Sequence, residues 1–228
     1  MSNDFSKLLA GLDFKFKNLS YLNQAFIHRS YLNEVKTSLS SNERLEFLGD
    51  AVLSLIITSH LYNLRPQDTE GELTNLRAYI VKTKSLSAAA KKLNLGEYLK
   101  LSKGEQASGG RENPQLLANT YEALVGAIFL DQGLEKANQV INLTLLPLFD
   151  KELKSGPPKD AKSNLQEIVQ EEFKQSPHYK ILKTHGPDHA KKFSVAVYIG
   201  GKEYGRGEGN SKQIAEEQAA RQALEKLS

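Results

Sequence analysis

Asn42-Glu43-Arg44-Leu45-Glu46-Phe47-Leu48-Gly49-Asp50-Ala51-Val52-Leu53 carries its charges and its apolar residues on different stripes. At about 100° per residue, Glu43, Glu46 and Asp50 fall within an arc of about 60° on a helix. Leu45, Leu48, Val52, Leu55 and Ile56 lie on the opposite side, so the period is helical and one face is built to be buried. Three carboxylates on one stripe repel each other and weaken the helix. A solvated acidic face is the ordinary reading of such a stripe; the sharper one is a face that a cation neutralises.

A second segment bears on that choice. Leu116-Leu117-Ala118-Asn119-Thr120-Tyr121-Glu122-Ala123-Leu124-Val125-Gly126-Ala127-Ile128-Phe129-Leu130 is apolar nearly all round, which predicts a buried helix. Its single charge is Glu122, with Asn119 one turn earlier and Gly126 one turn later on the same side. A lone buried carboxylate is costly unless it is paired, protonated or bound to metal. Gly126 removes bulk and lets another helix approach. If the two faces meet, Glu46, Asp50, Asn119 and Glu122 form a cluster of hard oxygen donors suited to Mg²⁺. An ion pair from Glu122 to Arg44 or Arg77 is the competing reading, and pattern alone weighs the two evenly.

Outward from these segments, helical spacing recurs near residues 5–11, 19–35, 42–63, 70–92, 115–130 and 133–152. Pro66, Gly96, Ser108-Gly109-Gly110, Pro114 and Gly133 punctuate it. No period-2 run interrupts this half, which reads as all-α. The seam is Lys154-Ser155-Gly156-Pro157-Pro158-Lys159-Asp160, where two prolines force an extended, solvated backbone. Past it, Ser163-Asn164-Leu165-Gln166 has capping-box spacing and opens a helix to about Lys174. Tyr179 to Thr184 and Lys192 to Ile199 alternate as strands, Gly200-Gly201 signals a hairpin, and Lys202 to Arg206 supplies a third strand. Ser211 caps a last helix to Leu227 with Ala215, Ala219 and Ala223 along one side. The division is therefore an all-α unit over 1–154, a linker over 155–160, and an α+β unit of order α-β-β-β-α over 161–228.

Length and composition agree with two soluble domains: 228 residues, of which 39% are hydrophobic and 25% charged. The absence of Cys excludes disulfides, thiolate metal sites and thiol catalysis, and fits a reducing, cytoplasmic setting. The first residues, Met1-Ser2-Asn3-Asp4-Phe5, lack a signal-peptide pattern, and no run approaches the ~18 apolar residues of a membrane span. A net charge of +3 is too small to argue for nucleic acid by itself.

The segment from Asn42 to Leu53 resembles the signature of the ribonuclease III family. Further matches are His28-Arg29-Ser30-Tyr31, Glu70-Gly71-Glu72, Gly104-Glu105, Ser108-Gly109-Gly110-Arg111, and Leu117 to Ala127. The resemblance covers nearly the whole chain. It implies an all-α nuclease domain that forms a homodimer, followed by one double-stranded-RNA-binding domain. It further implies that Glu46, Asp50 and Glu122 hold divalent metal, Mg²⁺ with Mn²⁺ as substitute, with Asn119 at a fourth ligand position and Asp50 and Glu122 as the catalytic pair. Glu43 and Glu70 match accessory acidic positions. Many bacterial members carry Asp where this chain has Asn119, so one negative charge is missing.

The implied activity is hydrolysis of phosphodiester bonds in double-stranded RNA, leaving 5′-phosphate and 3′-hydroxyl ends with short 3′ overhangs. Precursors of ribosomal RNA, and some of messenger and transfer RNA, are the implied substrates; no organic cofactor and no membrane enter. The tail's matching contact positions are Gln166 and Glu167, Gly186-Pro187-Asp188-His189, and Ser211-Lys212. Such domains read duplex RNA by shape across successive minor grooves. The competing reading is a non-catalytic double-stranded-RNA-binding protein whose centre is weakened at Asn119. A general helical interaction protein leaves Glu122 unexplained. His28 is expected to be structural or near RNA rather than catalytic, and Ser108 to Arg111 a connecting loop ahead of a phosphate contact.

Overall fold

The computed structural model describes residues 4–12, 15–35, 38–157, 160–187 and 191–227. The chain divides into two compact units, residues 1–157 and 158–228, each with its own apolar core. The first runs α1 (Ser6–Leu12), α2 (Leu19–Ala25), α3 (Arg29–Leu32), α4 (Glu43–Leu64), α5 (Glu70–Val81) and α6 (Thr83–Lys92). It continues through α7 (Leu95–Tyr98), α8 (Lys103–Ala107), α9 (Pro114–Thr144) and α10 (Asp150–Ser155). Among the described residues this unit has no strand, only a single bridge between Ile27 and Lys100.

That bridge explains one departure from the predicted helices. The 19–35 segment breaks because Ile27 leaves the helix to pair with Lys100, and His28 then caps α3 by accepting the Ser30 N–H on Nδ1 at 3.3 Å. The 70–92 segment breaks at Lys82, a single extended residue (φ −65°, ψ 153°) that hydrophobic period cannot register. Gly133 interrupts α9 at φ 82°, a conformation glycine adopts without steric cost. The 133–152 segment is likewise split, by a 3₁₀ turn over Leu146–Leu148.

The centre of the unit is the packing of α4 on α9. Leu45, Leu53, Ile57 and Leu61 of α4 are buried, as are Leu117, Leu124 and Ile128 of α9. Each such side chain contributes roughly 1.5–3 kcal/mol relative to exposure. By length and apolar content α4 could cross a membrane, contrary to the expectation from apolar runs. Its buried face instead belongs to the core of this unit.

The second unit runs α11 (Ala161–Phe173), β1 (His178–His185), β2 (Lys192–Ile199), β3 (Lys202–Gly209) and α12 (Lys212–Leu227), with an antiparallel sheet in the order β1-β2-β3. Asp160, not Ser163, caps α11: its carboxylate accepts the Ser163 N–H at 3.0 Å and hydroxyl at 2.7 Å. Gly200 and Gly201, both at positive φ (57° and 82°), turn β2 into β3. β3 extends to Gly209, past the predicted end at Arg206, because its later residues are largely glycines that hide strand alternation. Those glycines have a reason. A β-carbon on Gly205 or Gly207 would collide with the carbonyl of Ala219 or Ala215, so α12 lies directly on β3 along its alanine stripe. At that distance Gln222 and Gln218 accept the Arg206 and Glu208 N–H groups, at 2.6 and 3.2 Å, and cover the outer edge of the sheet.

Candidate active site

Two glycines bring the carboxylates together. A β-carbon on Gly49 of α4 would overlap the Glu122 carbonyl, and one on Gly126 of α9 would overlap the Leu45 carbonyl. The helices therefore meet backbone to backbone, and Glu46 and Asp50 from α4 come within electrostatic reach of Glu122 from α9. The predicted close approach at Gly126 is present; its partner Gly49 was not singled out. The available signal was two glycines inside otherwise good helices, each costing about 1 kcal/mol relative to Ala.

Glu122 is partly buried, and burial first, then the charges of Asp50 and Glu46, push its carboxyl up to about 7. Burial and the neighbouring Glu43 and Asp50 also raise Glu46, against a hydrogen bond from the Asn119 side chain. The Asn119 Oδ1 accepts from Gln115 Nε2 at 2.7 Å, which leaves its amide nitrogen for Glu46. Asn119 thus joins the cluster as a hydrogen-bond donor, its oxygen engaged by a residue the sequence reading passed over.

The alternative of an ion pair at Glu122 fails. Among the described residues no basic group pairs with it, and Arg77 donates to the Thr58 hydroxyl at 3.1 Å. Nor do three acidic or histidine side chains among the described residues close on one point as a preformed cage. Glu46 and Glu122, both with raised proton affinity, stand with Asp50 and no protein cation among the described residues, and such a set fits a hydrated divalent ion, which retains water and needs few protein ligands.

The remaining candidates fall into place around this pair of helices. Glu43 is exposed, bound to the Ser41 hydroxyl at 2.8 Å and facing Arg29 at 3.6 Å, so it borders the cluster and acts on Glu46 by charge. Glu70 opens α5, exposed, and among the described residues no hydrogen bond or ion pair joins it to the cluster. His28 caps α3, and burial lowers its basicity. Arg111 donates to the carbonyls of Gly96 and Glu97 at 2.7 and 3.0 Å, which makes its loop a structural clamp. Asn42 is buried and anchors the start of α4 by donating to the Ala25 carbonyl at 3.2 Å.

In the second unit, Gln166 and Glu167 lie exposed on α11, and Lys212 opens α12, also exposed. His189 lies outside the described residues. Glu216, one turn beyond Lys212, is buried and accepts from Lys162 at 2.6 Å; its other oxygen stands 3.7 Å from Lys212.

Fold and site together define a helical nuclease unit with an acidic cluster, joined to a duplex-RNA-binding unit. Residues 18–148 match the family described as ribonuclease-III-like, and residues 161–227 match the double-stranded RNA binding motif. Ribonuclease 3 of Borreliella burgdorferi is 46% identical across 99% of this chain and 92% of its own length. Ribonuclease 3 of Aliarcobacter butzleri is 40% identical across 99% and 98%. Among solved structures, the nuclease domain of ribonuclease III from Campylobacter jejuni is 38% identical with a TM-score of 0.60, covering 65% of this chain and 98% of that one. The chain belongs to the ribonuclease III family of endoribonucleases that act on double-stranded RNA.

Proposed function

We propose that Glu46, Asp50 and Glu122 form the centre that cleaves duplex RNA, that Asp50 and Glu122 are its catalytic pair, and that the divalent ion they hold is Mg²⁺, with Mn²⁺ as substitute. The carrying observation is Glu122: a carboxyl raised to about 7 beside two further acids, with no basic partner. A bound divalent ion supplies an activated water and relieves charge on the leaving oxygen. The protein's part is to bring the three carboxylates within electrostatic reach of one another through the contact of Gly49 and Gly126 with the facing helix. Asn119 steadies Glu46 and takes the fourth ligand position by turning its oxygen from Gln115. The products are 5′-phosphate and 3′-hydroxyl ends with short 3′ overhangs. Glu43 and Glu70 act as accessory acids, and precursors of ribosomal, messenger and transfer RNA in the cytoplasm are the substrates.

Gln166, Glu167, His189 and Lys212 capture the duplex, Lys212 through phosphate at a helix N-terminus. The nuclease unit works as a homodimer. Phe47, 82% exposed, and Leu55 and Tyr62, at 53% and 71%, leave on α4 an apolar surface of the kind that marks an interface. A Campylobacter jejuni relative of this unit is described as having a region involved in dimer formation. Cleavage of a long RNA duplex with and without Mg²⁺, with molecular mass measured in parallel, tests the reading. A dimer that binds duplex but never cuts it under any divalent ion would favour the non-catalytic alternative.

A further inference from the structure

The second unit carries almost no excess positive charge: residues 161–228 hold eleven Lys and Arg against nine Asp and Glu. Where the charges sit therefore matters more than how many there are. Two lysines from different helices converge on one carboxylate. Lys162, in the first turn of α11, donates to Glu216 Oε2 at 2.6 Å and also lies over the Tyr179 ring, 5.0 Å from its centre. Lys212, the first residue of α12, stands 3.7 Å from Glu216 Oε1. The Glu216 side chain is only 11% exposed, whereas that of Lys212 is 61% exposed. The carboxylate is thus held beneath an exposed ammonium at the mouth of a helix N-terminus, where phosphate is otherwise favoured.

We propose that Glu216 restrains the capture of duplex RNA, by holding Lys212 in an ion pair that an RNA phosphate must displace. The inference rests on the reading of Lys212 as a phosphate contact. Without the carboxylate, Lys212 meets phosphate with its full charge, and Lys162 adds a second unneutralised charge nearby. Glu216→Gln keeps the size and helical fit of the side chain while removing only its charge. One unit charge about 7 Å from a phosphate in a largely aqueous setting changes affinity by roughly 3- to 10-fold. One additional ammonium–phosphate contact steepens the dependence of log affinity on log salt by about 0.9.

The test is binding of the full-length protein to a duplex of about 30 base pairs, longer than the roughly 16 one such unit spans. It is run in EDTA, across a salt series, for the wild type, Glu216→Gln, Lys212→Gln and the double variant. The expected result is that Lys212→Gln weakens binding and Glu216→Gln tightens it by roughly 3- to 10-fold with a steeper salt slope. In the Lys212→Gln background the gain from Glu216→Gln should shrink to less than half on a logarithmic scale. An equal gain in both backgrounds would be a general charge effect and would overturn the inference. So would unchanged or weaker binding by Glu216→Gln while Lys212→Gln is impaired. If Lys212→Gln binds as the wild type does, the assignment of Lys212 falls, and the restraint with it. Should Glu216→Gln not fold, Glu216→Ala removes the same charge with the best helix former. Loss of the folded unit in both would assign Glu216 to stability and end the proposal.

Discussion

Glu122→Gln should abolish cutting and stabilise the protein, and the two effects have one cause. The carboxyl is raised to about 7 in the fold, by burial and then by Asp50 and Glu46, from an ordinary value of 4.5. A folded-state value above the unfolded one means that the native protein binds the proton more tightly. Stability from this group is therefore complete below about pH 4.5 and drains away as pH climbs to about 7, after which the deficit is constant. A neutral amide of the same shape escapes that loss. At about 1.4 kcal/mol per tenfold change in ionisation, discounted for the partial exposure of the side chain, the variant should gain about 1–2 kcal/mol at pH 8. For a protein of this size each kcal/mol moves the melting temperature by about 2–4 °C. Melting in EDTA should thus show Glu122→Gln ahead by several degrees at pH 8 and nearly level at pH 5. Divalent ion should raise the wild-type melting temperature at pH 8 and leave the variant largely unmoved. Cleavage should fall by at least ~100-fold, while duplex binding persists through the second unit. Normal cleavage by the variant would remove the carboxylate cluster from the chemistry. A melting advantage equal at pH 5 and pH 8 would refute the electrostatic account even if cleavage were lost.

Asn119→Asp replaces the amide that donates to Glu46 with a further carboxylate; it should lower the Mg²⁺ concentration for half-maximal cleavage several-fold and lower the melting temperature in EDTA. An unchanged metal requirement in a cleavage titration would show that the amide does not limit metal binding. Gly49→Ala drives a methyl into the Glu122 backbone, so it should cost about 1–3 kcal/mol and depress cleavage even where the protein remains folded; calorimetry and single-turnover cleavage at low temperature separate the two effects. A chain ending after Pro157 keeps the whole first core and should fold, dimerise and cut at low salt, but lose activity sharply at physiological salt without its tethered RNA-binding unit. Equal salt profiles for the truncated and full-length chains would remove the tail from substrate capture.

The helical period of Leu45, Leu48, Val52 and Ile56 makes α4 legible, and the all-apolar setting of Glu122 singles it out as the one charge of its segment, which the structure places beside Glu46 and Asp50. What the sequence concealed follows a physical pattern. Short breaks, at Ile27 with the extended His28 and at the single extended residue Lys82, leave the hydrophobic spacing on both sides intact, so two helices read as one. α7 and α8 are shorter than the two turns that periodicity needs. β3 was cut short because glycines at 205, 207 and 209 have no side chain to alternate, although their absence of side chains is what lets α12 approach. Gln115 escaped notice for another reason: an amide at the start of a helix carries no charge, and only its 2.7 Å bond to Asn119 gives it a role.

Both units solve the problem of close approach in the same way, with opposite consequences for charge. In each, glycines with no room for a β-carbon set backbone against backbone, at Gly49 and Gly126 in the first unit and at Gly205 and Gly207 in the second. In the first, the approach gathers Glu46, Asp50 and Glu122 without a protein cation, so the fold itself is left strained by like charge. A proton or an added cation would relieve that strain, so a divalent ion bound there would make metal binding and folding stability two readings of one free energy. In the second unit the carboxylate at the junction of α11 and α12 already has its cations in Lys162 and Lys212. The first arrangement invites a cation; the second makes an incoming phosphate compete with a resident anion. A single neutral substitution in each unit, Glu122→Gln and Glu216→Gln, should therefore move duplex RNA in opposite senses: bound but uncut in the first case, and bound more tightly in the second.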